Sequence, residues 1–262
     1  MDFEAVADVV DQVPQPHISR HNGRILYDHV RTTRPEGVLE LGTAHGVSGA
    51  YIAAALEANG HGQLTTVDSS AFFGWESPTP QELLASLGLR HRVVLDRSYS
   101  TYTWFLKEEI EARTDEHGNC DPAYDFCFLD GSKNWSTDGL AVFLIEKLLR
   151  PGGWLLLDDL DWTFSGLGGK AQMHYWVALP HLTERELREP HMRAVFDLIL
   201  RQHPAFGDFR IQDGTWGWAR KVSAERRTLV FEETRPLRSY VLGGARFARR
   251  ALVAFVDRGT SR

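Results

Sequence analysis

Five short apolar runs, separated by stretches long enough to hold helices, confine this chain to few architectures. They read "GVLELG" (37–42), "QLTTVD" (63–68), "HRVVLD" (91–96), "YDFCFLD" (124–130) and "GGWLLLDD" (152–159), and four of the five run into a carboxylate at or near the C-terminal end. Each is rich in Val, Leu or aromatic residues, as strands covered on both faces are. Strands that alternate with helical segments build βαβ units, so the pattern predicts an α/β fold with a largely parallel sheet. At 262 residues and 43% hydrophobic, the chain can bury one large core and carry appendages.

The segments between and after these runs complete the expected layout. "VSGAYIAAALEA" reads as the helix after the first strand, and Ser136 through Leu149 as an amphipathic helix stopped by "RPGG". Residues 160–188, rich in Gly and aromatics, are too long for a simple link and predict a partly helical insertion over the strand ends. A helix near 190–203 precedes "FRIQDGTWGWARK", whose Asp-Gly pair between alternating runs marks a two-residue hairpin and an antiparallel sheet edge. Residues 1–35 read as an N-terminal helical segment, 36–222 as the main domain and 223–262 as a basic extension.

Charge and cysteine usage narrow the functional classes. The net charge of -6 argues against wholesale nucleic-acid binding. From Val222 onward, however, nine arginines face four carboxylates. That extension is expected to pack on its own domain or form a homodimer contact, ahead of lying on an anionic membrane surface. No run approaches the ~18 apolar residues of a membrane span. The acidic start "MDFEAVADVVDQV" lacks the features of a signal peptide, so a cytoplasmic location is expected. Two cysteines, Cys120 in a loop and Cys127 in the fourth strand, predict no disulfide framework. The histidines, among them His17, His21, His181 and His191, show no zinc-ligand spacing.

The turn after the first strand carries the first chemical signal. "VLELGTAHGVSGAYIAAAL" places Gly42, Gly46 and Gly49 between strand and helix in the spacing G-x-x-x-G-x-x-G. This is neither the dinucleotide fingerprint nor a phosphate loop with its G-K-[ST] ending. Glu40 carries a charge into the turn, poor company for a pyrophosphate but suited to the amino group or sulfonium of S-adenosylmethionine. Asp68, ending the second run, is placed to accept from ribose hydroxyls. With E-L-G-x-x-x-G-x-S followed by a second-strand acid, the chain resembles the class I S-adenosylmethionine-dependent methyltransferases. The resemblance implies a Rossmann-like fold with a mostly parallel seven-stranded sheet and an antiparallel C-terminal hairpin. It also implies a cofactor site at Glu40, Gly42, Thr43, Ala44, Gly46, Ser48, Asp68, Ser98 and Asp130. His45 lies inside the loop, as a cofactor contact or a surface histidine.

Asp130, Asp158 and Asp159 end the fourth and fifth runs, and in an open parallel sheet they converge near the same crevice. Three carboxylates so close repel one another unless a cation lies between them; oxygen ligands suit Mg²⁺ first, then Mn²⁺ or Ca²⁺. With Lys133 three residues after Asp130, the set resembles the catechol O-methyltransferases and the macrocin-type sugar O-methyltransferases. The Asp158-Asp159 pair departs from the usual Asp-Asn of the catechol enzymes and is closer to the sugar enzymes. The resemblance covers about residues 36–160 and implies Asp130, Asp158 and Asp159 as metal ligands, with Asp130 and Lys133 catalytic. Lys133 would act as a base if its pKa falls. The plainer alternatives are a structural Asp pair and a solvated loop lysine.

A small-molecule or sugar hydroxyl is the expected acceptor, with Trp135, Trp162, His174 and Trp176 available to line a pocket. Rival readings are a metal-independent methyltransferase, a relative of the cephalosporin hydroxylase type, or a non-catalytic cofactor-binding assembly partner.

Overall fold

The computed structural model describes residues 1–14, 18–70, 77–166 and 182–223. Seven strands form one sheet in the order β3-β2-β1-β4-β5-β7-β6. They are β1 (Gly37–Leu41), β2 (Gln63–Val67), β3 (Val93–Asp96), β4 (Tyr124–Leu129), β5 (Leu149–Leu157), β6 (Phe206–Gln212) and β7 (Trp216–Lys221). The first five are mutually parallel, and β7 runs antiparallel to both β5 and β6. Winding goes one way from β1 to β3 and the other way from β4 onward, so the switch point lies between β1 and β4, where such sheets bind ligands.

The period-two geometry of a strand divides the core into two layers. Phe126 and Phe128 of β4 pack with α1 (Phe3–Val10), α2 (Arg20–Thr33), α3 (Val47–Asn59) and α4 (Pro80–Ser86). Cys127 and Leu129 point the other way, toward α5 (Tyr102–Arg113), α6 (Trp135–Leu148) and the helix that starts at His191. Cys127 is the buried thiol its strand position predicts. Helix α3 is buried on almost every side because α1 and α2 cover it, which explains its run of alanines and lack of a polar face. Asp2 caps α1 and Ser19 caps α2, each accepting from a backbone amide three residues on. Arg20 then ties α2 to Glu4, Asp8 and Asp11.

Three details differ from the sequence reading. Strand β5 begins at Leu149, because a register irregularity between Tyr124 and Phe126 lets Leu149 pair with Tyr124 ahead of the glycine pair. The hairpin has three connecting residues. Asp213 and Gly214 take left-handed conformations, and Thr215 is added because its carbonyl accepts from Leu160 N–H at 2.8 Å. The helix near 190–203 is α-helical only over His191–Ala194 and π-helical over Val195–Leu200. Of the insertion, a 3₁₀ turn at Phe164–Gly166 and the short α7 (Glu184–Arg188) are described. His174, Trp176, His17, His181 and the extension from 224 lie outside the described residues. Among the described residues, no helix is long and apolar enough to cross a membrane.

Candidate active site

The glycine loop is pressed against the end of β4. Gly42 has φ +105°, and a Cβ there would lie 2.1 Å from the Asp130 carbonyl oxygen, so any other residue would force the two strand ends apart. Gly46 has φ +79° at the start of α3. Asp68 holds the loop's curve: its Oδ2 accepts from Thr43 N–H and Ala44 N–H at 3.0 Å each, and its Oδ1 from Ser69 N–H at 2.7 Å. The Thr43 hydroxyl meets that of Thr66 at 2.7 Å. From the β3 side the residue that reaches the loop is Arg97, which donates to the Ala44 carbonyl at 2.9 Å. Its neighbour Ser98 is exposed, with its N–H on Asp96 Oδ1 at 2.8 Å. His45 is buried and turns its Nδ1 toward the Pro78 carbonyl, 3.2 Å away.

Glu40 sits beneath this loop, fully buried. Thr66 donates to its Oε2 at 2.5 Å, and Ser48, in the first turn of α3, hydrogen-bonds it as well. Its Oε1 is buried with no hydrogen-bond partner. Burial raises Glu40 to about 7 against the opposing hydrogen bonds from Ser48 and Thr66. An orphaned acceptor at the base of a glycine loop, beside a second carboxylate, fits the amino group of S-adenosylmethionine.

Asp130, Asp158 and Asp159 converge as the strand ends predict: one oxygen from each lies within 4.8 Å of the others. Asp130 N–H bonds to Leu41 O at 2.9 Å and Asp158 N–H to Leu129 O at 3.1 Å, so the ladder sets their spacing. Asp158 Oδ1 accepts from the Trp216 indole N–H at 2.6 Å and from Asp159 N–H at 2.7 Å, which fixes the carboxylate's orientation and leaves its other oxygen uncommitted by these bonds. A donor set of three carboxylates fits a hard divalent cation.

Lys133 is 5% exposed rather than solvated. Its ammonium contacts Asp130 directly and lies 3.1 Å from Asp159 Oδ2. Both Lys133 and Asp159 adopt φ +57°, a left-handed conformation that lysine rarely takes. Burial lowers the lysine's pKa, but the charges of Asp130, Asp159 and Asp158 outweigh it and hold it well above the usual range. Burial likewise lifts Asp130 well above the usual carboxylate range, with Lys133 opposing and Asp158 and Asp159 reinforcing. The surrounding carboxylates hold the lysine protonated, whereas Asp130 rises first because it is buried.

A set of buried contacts, without any local signature in the sequence, fixes the loop from Asp130 to Trp135. Tyr102 O–H donates to the buried Asp138 and accepts from Ser132 N–H at 3.1 Å. Asp138 Oδ2 accepts from Asn134 N–H at 2.6 Å, and Asn134 Oδ1 caps α6 by accepting from Ser136 N–H at 2.9 Å. Burial raises Asp138 to about 6 against those hydrogen bonds. His191 accepts from Trp135 N–H at 3.1 Å through Nδ1 and bonds Glu186 O at 2.8 Å through Nε2, which defines its tautomer. Of the proposed pocket aromatics, Trp135 is 41% exposed, whereas Trp162 is half-buried edge-on against Phe164 at 4.7 Å.

Known proteins share this fold. A model of the methyltransferase domain matches residues 39–160, from within β1 to just past the acidic pair. Among solved structures, the SAH-bound methyltransferase PaMTH1 of Podospora anserina is 18% identical with a TM-score of 0.58, covering 84% of this chain and 88% of its own. TomG, an O-methyltransferase of Streptomyces achromogenes involved in tomaymycin synthesis and solved with SAM, is 19% identical with a TM-score of 0.55, covering 84% and 89%. An O-methyltransferase from Bacillus cereus in complex with SAH is 18% identical with a TM-score of 0.55, covering 84% and 90%. No curated protein matches in sequence. The fold is that of the class I S-adenosylmethionine-dependent methyltransferases. Within it, residues 39–160 are the part similar to the methyltransferase domain.

Proposed function

We propose that this chain is an S-adenosylmethionine-dependent O-methyltransferase assisted by a divalent cation, Mg²⁺ first, acting on a hydroxyl of a small molecule or sugar. The observation that carries the reading is the convergence of three strand-end carboxylates within 4.8 Å beside a glycine loop pressed on the same strand end. The solved O-methyltransferases of the same fold support it.

Glu40, Gly42, Thr43, Ala44, Gly46, Ser48, Asp68, Asp130 and the exposed Ser98 would hold the cofactor. When bound, S-adenosylmethionine supplies an activated methyl group, so no covalent enzyme intermediate is required. Asp130, Asp158 and Asp159 would hold the cation, which when bound supplies Lewis acidity toward an acceptor with two adjacent oxygens. The protein's remaining work is positional: Trp216 orients Asp158, while Tyr102, Asp138 and His191 hold the loop that carries Lys133. Lys133 is the proposed acceptor of the hydroxyl proton. While it lies between Asp130 and Asp159 it is an ammonium and can only donate, so the base form requires those charges to be balanced elsewhere.

The test is transfer of a labelled methyl group from S-adenosylmethionine to a panel of catechols, vicinal diols and sugars, with Mg²⁺ and with EDTA. Transfer that Mg²⁺ supports, EDTA abolishes and Asp158→Asn loses is the expected result. Full transfer in EDTA would reassign the carboxylates to a metal-independent methyltransferase.

A further inference from the structure

Lys133 has a task that precedes any proton transfer. We propose that its ammonium is the resident cation of the carboxylate pocket, holding the position a divalent ion takes and thereby setting how tightly such an ion binds. The inference rests on the metal reading above, and concerns which charge occupies the cluster when no ion does.

Three carboxylates meet at the ends of β4 and β5, and the group between two of them is already a cation, in direct contact with Asp130 and 3.1 Å from Asp159. A lysine in a loop ordinarily extends into water, since its ammonium is strongly hydrated and its stem flexible. This one is 5% exposed, on a backbone turned to φ +57°. Such a conformation is strained for an L-residue and persists where the surroundings over-determine it. The surroundings here are the carboxylates that the ammonium meets and the contacts of Tyr102 and Asp138 that hold the loop.

The ligand oxygens span 4.8 Å, about the width of one small ion's oxygen shell. There is room for one cation. Two positive charges about 3 Å apart repel strongly even with generous dielectric screening, so a divalent ion enters only as the ammonium leaves. Among the described contacts Asp158 makes no ion pair with the lysine, and its Oδ1 is committed to Trp216 and to the Asp159 amide. It therefore offers an incoming ion its first free carboxylate oxygen, while Asp130 and Asp159 must exchange partners. This predicts competition, in contrast to a lysine that serves only as a base, whose removal leaves ion affinity unchanged.

The experiment is calorimetric titration of the full chain with Mg²⁺ and with Mn²⁺, for wild type, Lys133→Met, Lys133→Gln and Lys133→Arg. Removing the charge should tighten binding at least about tenfold, and Lys133→Arg, which keeps it, should bind no tighter than wild type. In parallel, acetylation of wild-type Lys133 should increase when Mg²⁺ is added, relative to the exposed Lys107, because the ion expels the side chain. This second readout needs no variant to fold. Ion binding by wild type with no tightening in the neutral variants, or with Lys133 protected by Mg²⁺, overturns the inference and leaves the metal reading intact. Ion binding by the neutral variants alone supports the inference and removes the metal from the wild-type reaction. Absence of ion binding throughout overturns both.

Discussion

At the scale of single residues, the site depends on two buried groups, Trp216 and Glu40. Trp216 lies on β7 and donates to Asp158 at 2.6 Å, across 58 residues of sequence. Trp216→Phe keeps most of the ring volume and removes the donor. It should cost about 1–3 kcal/mol in denaturant unfolding and weaken Mg²⁺ binding by roughly tenfold or more; unchanged ion affinity would mean that the Asp159 amide alone orients the carboxylate. Glu40 makes a pH prediction. Its pKa of about 7 in the folded chain lies above the ordinary carboxyl value of the unfolded one, so the folded state binds the proton more tightly. The associated stability is complete below about pH 4.5 and lost as pH rises through 7. Glu40→Gln carries no titrating group. Its unfolding free energy should nearly match wild type at pH 5 and exceed it by up to about 3 kcal/mol at pH 8. Parallel pH profiles for the two proteins would show that Glu40 is not the titrating group.

At the scale of elements, the loop between β4 and α6 is where local sequence and final structure part. The strands were legible because burial on both faces leaves uninterrupted apolar runs, and their carboxylate ends announced the crevice. The early start of β5 was hidden, since "RPGG" reads as a stop while the irregularity in β4 restores pairing at Leu149. The third hairpin residue was hidden for a related reason: Thr215 is retained by a bond to Leu160, which no turn rule contains. Lys133 was expected as a catalytic residue, with a solvated loop lysine as the alternative; its burial was hidden, because nothing near it in sequence signals a left-handed backbone. Tyr102, Asp138, Arg97, Trp216 and His191 went unassigned, since each earns its role from a partner on another element. Tyr102→Phe tests the most buried of these links. It leaves Ser132 N–H and Asp138 without the hydroxyl, so the amides of Ser132 and Asn134 should exchange with deuterium at least about tenfold faster, in line with a loss of about 1–3 kcal/mol, while those of β4 stay protected. Equal exchange in both proteins would show that the loop is held by the α6 cap alone.

At the scale of the whole molecule, the β1/β4 switch point, the loop under which Glu40 lies and the carboxylate cluster form one contiguous region, proposed as a cofactor site first and a metal site second. The methyltransferase-domain match ends at residue 160, so both halves of that region fall inside it. The most direct measurement is calorimetric titration of the full chain with S-adenosylmethionine, with NAD as the control and melting temperature as the companion readout. Saturable one-to-one binding of S-adenosylmethionine is predicted, with NAD silent and stabilisation of about 2.7 kcal/mol at a hundredfold excess over Kd. No binding of S-adenosylmethionine, or equal binding of NAD, would contradict the account at its centre.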